Sequence, residues 1–295
     1  MTQQRKIWFI SGVSSGLGRA FADQIASTGD IVVGSVRKAE DATAFEAALG
    51  SNARAVLMDV TNADQIAAAV DKVESEFGRI DILINNAGFG LIGALEELSA
   101  DELQSIFDTN VFGAAVLTKA VLPLMRKRRS GHVIFTSSIA GMAGAPGLTA
   151  YSSTKHAIEG MAESLHYELK PLGINVSILE PGVFRTNWGG GNMRKAKAPI
   201  ADYDASRGAL EGHFAKTYAE GAATQGDPKK AAKALVRLVN ADTPPLRLVL
   251  GSDAIREIEK KLARFKSERE EWHEVSTSVA FDQEAAFEEF GVTEH

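Results

Sequence analysis

Tyr151 and Lys155 stand four residues apart in a segment, residues 151–170, whose pattern is helical. Residues at that spacing share a helix face, so a phenol and an ammonium lie side by side. A free phenol has a pKa of about 10 and is a poor proton-transfer group at neutral pH. A fixed lysine cation favours the phenolate and brings it toward the range of a working acid/base group. Ser138 follows a predicted strand, residues 132–137, and precedes Tyr151 on the same strand–loop–helix unit. Its hydroxyl would donate to a carbonyl oxygen that gains negative charge as hydride arrives. Taken alone, a Tyr–Lys pair at this spacing is more often a solvated helix face than a catalytic pair.

The elements that must position these groups read as an alternation of strands and helices. Residues 6–11 (KIWFIS) form a short apolar run suited to a buried parallel strand. The run enters Gly12-Val-Ser14-Ser15-Gly16-Leu17-Gly18, and an apolar-periodic helix continues to about Thr28. Glycines there let the backbone approach a pyrophosphate, and the helix N-terminus offers N–H groups to it. The spacing is GxxxGxG, different from the ordinary GxGxxG dinucleotide fingerprint.

A second strand, residues 30–36, ends directly at Arg37 and Lys38. An acidic residue at this place takes a ribose 2′-hydroxyl, whereas an Arg accommodates a 2′-phosphate. The nearest acids, Glu40 and Asp41, fall in the next helix, and Ser14 adds a hydroxyl donor. Arg37 therefore favours NADP(H) over NAD(H), with simple solvation of a strand end as the competing reading.

Residues 54–58 read as a third strand, closed by Asp59 and Val60, and Asn62 suits a cap for a helix to Phe77. Residues 80–84 are a fourth, followed by Asn85, Asn86, Ala87 and Gly88, a turn small enough for a ribose to pass. Residues 99–129 read as one long helical region holding Asn110, where an Asn implies a specific partner or a kink. Its basic end, residues 126–129, suits a helix C-terminus better than a nucleic-acid patch. A sixth strand, residues 174–179, leads into Glu180-Pro181-Gly182-Val183-Phe184-Arg185-Thr186, and residues 246–250 form a seventh.

The alternation predicts an α/β fold: a Rossmann-type, doubly wound, seven-stranded parallel sheet with helices on both faces. Residues 1–251 would form one cofactor-binding domain, with a substrate loop or lid at residues 187–221. Residues 252–295 would be a helical extension, charged and amphipathic over residues 254–272 and less ordered from about Ser276. The whole set of motifs falls at strand carboxyl ends, where such sheets bind ligands.

Composition narrows the function. A chain of 295 residues with 45% hydrophobic and 24% charged content is long enough for one large α/β domain with a full core or for two small domains. A net charge of −6 argues against bulk nucleic-acid binding, and zero cysteines exclude disulfides and thiol nucleophiles. The six histidines show no metal-ligand spacing, so no metal is expected. The sequence reads as having no window apolar enough for a membrane span and no secretory signal, which points to the cytoplasm.

These residues resemble the short-chain dehydrogenase/reductase family over residues 6–251, in its single-domain form, nearest the 17β-hydroxysteroid and retinol dehydrogenase-like branch. The resemblance rests on Gly12, Gly16 and Gly18 (with Ser11 where many members have Thr), on Asp59–Val60, and on Asn85–Gly88. It implies a catalytic tetrad of Asn110, Ser138, Tyr151 and Lys155, with Asn110 anchoring a water in a proton relay. It also implies that Pro181, Gly182, Val183 and Thr186 lie beside a nicotinamide, and that two long helices build a homodimer or homotetramer. The expected activity is an NADP(H)-dependent interconversion of a ketone or aldehyde and an alcohol in a hydrophobic small molecule. Met142, Ala143, Ala145, Val183, Phe184 and Trp188 are the candidate apolar lining. An epimerase or dehydratase on the same scaffold, and a non-catalytic cofactor sensor, remain as alternatives.

Overall fold

The computed structural model describes residues 5–186, 193–219 and 226–279. Seven parallel strands form the main sheet: β1 (Ile7–Ser11), β2 (Ile31–Val36), β3 (Ala53–Leu57), β4 (Ile82–Asn85), β6 (Gly131–Thr136), β7 (Ile174–Pro181) and β9 (Arg247–Leu250). Their spatial order is β3-β2-β1-β4-β6-β7-β9. The chain winds outward in one direction from β1 to β3, then reverses to start again at β4. That reversal leaves a crevice above the carboxyl ends of β1 and β4, where ligands of such sheets sit.

Alternation along each strand sends side chains to opposite faces. Phe9, Val33, Leu83 and Phe135 pack with α3 (Ala63–Phe77), α5 (Gly113–Arg128) and α6 (Thr149–Leu169) on one face. Trp8, Ile10, Val32, Ile84 and Ile134 pack with α1 (Gly16–Ser27), α2 (Ala39–Leu49) and α8 (Pro228–Val239) on the other. Both faces are covered, which is why these strands read as nearly continuous apolar runs. The doubly wound, Rossmann-type architecture expected from the sequence is the one observed. Asn62 caps α3, its side-chain oxygen accepting from the Gln65 N–H at 3.0 Å.

Three features differ from the expectation. The long helix of residues 99–129 is divided: α4 (Ala100–Phe107) passes through a π turn, Asp108–Phe112, into α5. Asn110 is buried in that turn, so the anomaly of an Asn inside a helix marks a widened turn. A second, two-stranded parallel sheet joins β5 (Gly90–Ile92) to β8 (Met193–Lys195), in a stretch that reads as loop from its glycine-rich and basic composition. Finally, the helical run Ala100–Arg128 is long and apolar enough to cross a membrane by length and composition. In this fold the run lies along the sheet, with Leu117, Val121 and Met125 fully buried in the core.

The segment after β8 is fastened to the body. Glu97 accepts from the Ala94 and Ile200 N–H groups at 2.7 and 2.8 Å and pairs with Arg207 on α7 (Asp204–Ala219). Two further helices follow β9, α9 (Ser252–Glu271) and α10 (His273–Thr277).

Candidate active site

The glycine turn is shaped from below. Gly12 and Gly16 adopt φ of +76° and +65°, a region that side chains disfavour. A Cβ on Gly18 would collide with the Gly12 carbonyl oxygen and with the Asn86 side-chain amide. That amide donates to the Gly12 carbonyl at 2.9 Å and to the Ser11 carbonyl at 3.1 Å. The Ser11 hydroxyl in turn accepts from the N–H groups of Asn86 and Ala87 at 2.9 and 3.0 Å. The turn after β1 and the turn after β4 are thus one hydrogen-bonded unit.

Above this unit opens a cleft of about 490 Å³ at the strand carboxyl ends. Gly12, Ser14, Ser15, Gly16 and Leu17 line it from β1–α1, Arg37 from the end of β2, and Asp59 and Val60 from β3. Asn86, Ala87 and Gly88 line it from β4, and Ser138, Tyr151 and Lys155 from β6–α6. Pro181, Gly182, Val183, Phe184 and Thr186 close it from β7.

The cleft suits a dinucleotide. The first turn of α1 carries no acidic residue, and the N-cap Ser15 side chain does not bond it, which leaves N–H groups for a phosphate. Burial pushes the Asp59 carboxyl up, but hydrogen bonds from the Thr61 N–H and hydroxyl (2.9 and 2.8 Å) and the Arg37 charge outweigh it. The net result is a pKa below the usual value, so Asp59 is an anion beside Arg37.

At the other end, Tyr151 and Lys155 are both buried on the first turns of α6. The Lys155 Nζ lies 5.7 Å from the Tyr151 ring centroid and donates to the Thr136 carbonyl at 2.7 Å. Burial lowers the Lys155 pKa to about 8, with the Glu159 carboxylate opposing the shift. The Ser138 hydroxyl caps a short 3-10 turn, Ile139–Gly141, by accepting from the Ala140 N–H at 3.1 Å. Its own proton remains free of that bond and available to a substrate oxygen.

Asn110 lies behind the cleft wall. Its Oδ1 accepts from the Phe89 N–H at 3.0 Å, and its Nδ2 donates to the Phe89 carbonyl at 2.9 Å and to the Thr154 hydroxyl at 3.2 Å. The π turn after α4 is thereby tied to α6 one turn from Tyr151. Gly18 likewise supports the cleft without lining it.

The apolar end matches the candidates in part. Val183 and Phe184 line the cleft, whereas Met142, Ala143 and Ala145 do not. Ile139 and Ala140, from the 3-10 turn after Ser138, are among the lining residues. Trp188 lies outside the described residues, as does part of the 187–221 lid and the tail from residue 280. Phe89, Leu148, Arg194 and Phe214 join the lining, with the Arg194 guanidinium 3.9 Å from the Phe89 ring centroid. The pairing of β8 with β5 brings Arg194 there, and no local signal in the sequence marks that contact.

Two supports were also silent in the sequence. Asp253, at the start of α9, accepts from the Val183 N–H at 2.8 Å, and any Cβ on Gly182 would strike its carboxylate. Arg247 Nε lies 3.2 Å from Glu159 and 3.3 Å from Glu180, and its NH2 3.0 Å from Glu163. Burial pushes the Glu180 carboxyl up to about 7; Glu159 adds to the rise and Arg247 opposes it.

Comparison with known proteins agrees with this geometry. The model of the short chain dehydrogenase family matches residues 6–198. The chain is 36% identical over 277 residues to oxidoreductase BOA17 of Botryotinia fuckeliana, covering 93% of this chain and 99% of that protein. It is 34% identical over 250 residues to human retinol dehydrogenase 8, covering 81% and 79%. A short-chain dehydrogenase from Streptomyces avermitilis superposes with a TM-score of 0.87 at 38% identity, over 95% of this chain and 100% of that one. The family model spans well over half of the chain and a relative 36% identical is matched along nearly its whole length: the chain belongs to the short-chain dehydrogenase family of oxidoreductases.

Proposed function

We propose that the protein is an NADP(H)-dependent oxidoreductase that interconverts a carbonyl and an alcohol in a hydrophobic small molecule, with Tyr151 as the acid/base. The observation that carries this reading is the grouping of Ser138, Tyr151 and the buried Lys155 cation at one end of the cleft. The phosphate-suited turn and Arg37 stand at the other.

Residues 1–251 hold this machinery as the catalytic unit, and α9 reaches back to it through Asp253. The first turn of α1 and Ser14 would hold the pyrophosphate, and Arg37 a 2′-phosphate, bidentately. Asn86, Ala87 and Gly88 leave room for a ribose, while Pro181, Gly182, Val183 and Thr186 would flank the nicotinamide. When bound, the nicotinamide supplies or accepts the hydride.

The chain's own groups do the rest. Ser138 donates to the substrate oxygen and aims it at Tyr151. Tyr151 gives its phenolic proton to that oxygen in reduction and takes it back in oxidation. The Lys155 ammonium, held by the Thr136 carbonyl, stabilises the phenolate left behind. Asn110 fixes the Phe89 backbone and the Thr154 hydroxyl, and so the approach to Lys155 from the interior, where a relay water would sit. Phe89, Leu148, Phe184 and Phe214 offer apolar surface to the substrate. A homodimer or homotetramer in the cytoplasm fits the family pattern.

The test is oxidation of NADPH and NADH, side by side, over a panel of hydrophobic ketones and aldehydes that includes a steroid and a retinoid. Turnover with NADPH supports the reading. Turnover only with NADH overturns the role of Arg37, and cofactor binding without turnover of any carbonyl overturns the activity.

A further inference from the structure

Helix α9 and its C-cap carry a 3-4 spacing of side chains, apolar but for Arg269: Ile255, Ile258, Leu262, Phe265, Arg269 and the C-cap Trp272. That is a heptad seam, with Ile255, Leu262 and Arg269 at a and Ile258, Phe265 and Trp272 at d. The first turns rest on the body, where Ile258 is 8% exposed. From Leu262 to residue 279 every described residue is exposed. Ile255, Leu262, Phe265 and Trp272 are 46, 54, 60 and 57% exposed, three large apolar groups at seam positions of one helix and a fourth at its C-cap. Among the described residues nothing covers them, and such a stripe marks an interaction surface.

We propose that this seam pairs antiparallel with the same helix of a second copy, Leu262 lying opposite Phe265 of the other chain. The register is chosen by what it matches. It sets Leu262 against Phe265 and Ile255 against Trp272, each twice by symmetry, so all four exposed apolar side chains meet one another. The remaining layer sets Ile258, already buried on its own body, against Arg269, the one charged residue of the seam.

The flanking charges agree. At the e positions Glu259 faces Lys266 of the second copy, and at the g positions Lys261 faces Glu268, again twice each. Both members of each pair are seven residues apart in their own helix, too far to pair within one chain. A parallel, in-register pairing would set Lys261 against Lys266, which opposes it. Among the described residues Lys266 and Arg264 make long surface contacts, to Glu270 at 3.8 Å and Glu268 at 3.6 Å. Lys261 lies 3.5 Å from His156 on α6.

The chain contains no cysteine, so Leu262→Cys and Phe265→Cys each introduce a single thiol on an exposed face. Under mild oxidation, a mixture of the two variants is expected to form a disulfide-linked dimer at least about tenfold faster than either alone. Sedimentation then reads the charge code: Glu259→Lys and Lys266→Glu each weaken self-association about tenfold, and the double variant restores it. Circular dichroism monitors the fold of each variant. Equal cross-linking of each single variant with itself, as a parallel pair gives, overturns the proposal. So does absence of any cross-link, as when residues 280–295 or another protein cover the seam, or a double variant no better than the singles.

Discussion

The Lys155 ammonium donates to the Thr136 carbonyl at 2.7 Å, joining the second turn of α6 to the last residue of β6. The contact fixes the cation 5.7 Å from the centre of the Tyr151 ring, inside a buried site. Position and charge of the pair are therefore set by the sheet rather than by the helix alone.

Burial lowers Lys155 to about 8, so its charge is present below that pH and lost above it. Reduction is expected to slow as pH rises through about 8, when the cation that stabilises the phenolate disappears. The pH profile of kcat/KM checks this in the free enzyme; a flat profile from pH 7 to 9 contradicts it.

Arg37→Glu is expected to raise the KM for NADPH about 10–100-fold, the worth of a charged hydrogen-bonded contact, and to leave NADH little changed. Parallel Michaelis curves for the two cofactors measure it. Equal losses for both would place Arg37 outside phosphate recognition.

Gly18→Ala puts a methyl where the Gly12 carbonyl and the Asn86 amide already stand. The substitution should cost about 1–3 kcal/mol of stability and loosen cofactor binding, because the two turns must separate. Thermal unfolding with and without NADPH gives both quantities. A variant as stable and as tightly bound as the parent would show that the turns tolerate separation.

Much of this was legible before the fold. The glycine turn, the Asn62 cap and the helical Tyr–Lys pair are local signals, and each strand of the seven-stranded sheet announced itself as a short apolar run. Asn110 was legible as an anomaly, though only the structure shows the π turn that accommodates it. The rest depends on contacts distant in sequence. β5 and β8 are three residues each, too short for periodicity, yet their pairing puts Arg194 on the cleft. Met142 reads as lining from its place after Ser138, and the cleft is lined there by Ile139 and Ala140, whose place depends on the 3-10 turn. Glu180, Glu159 and Arg247 come from β7, α6 and β9, and no spacing links them.

That last group makes a separate prediction. Glu180 titrates near 7 in the fold and near 4.5 when exposed, so between those values the folded state binds more protons than the unfolded. Its contribution is present below about 4.5 and is lost as pH rises through about 7. Glu180→Gln should therefore gain stability relative to the parent as pH rises from about 4.5 to about 7. Denaturant unfolding of both proteins across that range tests it, and a difference independent of pH would contradict it.

The central claim is that Tyr151 moves the proton. Tyr151→Phe keeps the ring and removes the hydroxyl, so NADPH affinity, measured by fluorescence titration, should stay within about twofold of the parent. Turnover of the best carbonyl substrate should fall by about 10²–10⁴, the range for loss of a general acid. Full binding with that loss of turnover is the predicted result; turnover near the parent's would remove Tyr151 from the chemistry and the mechanism with it.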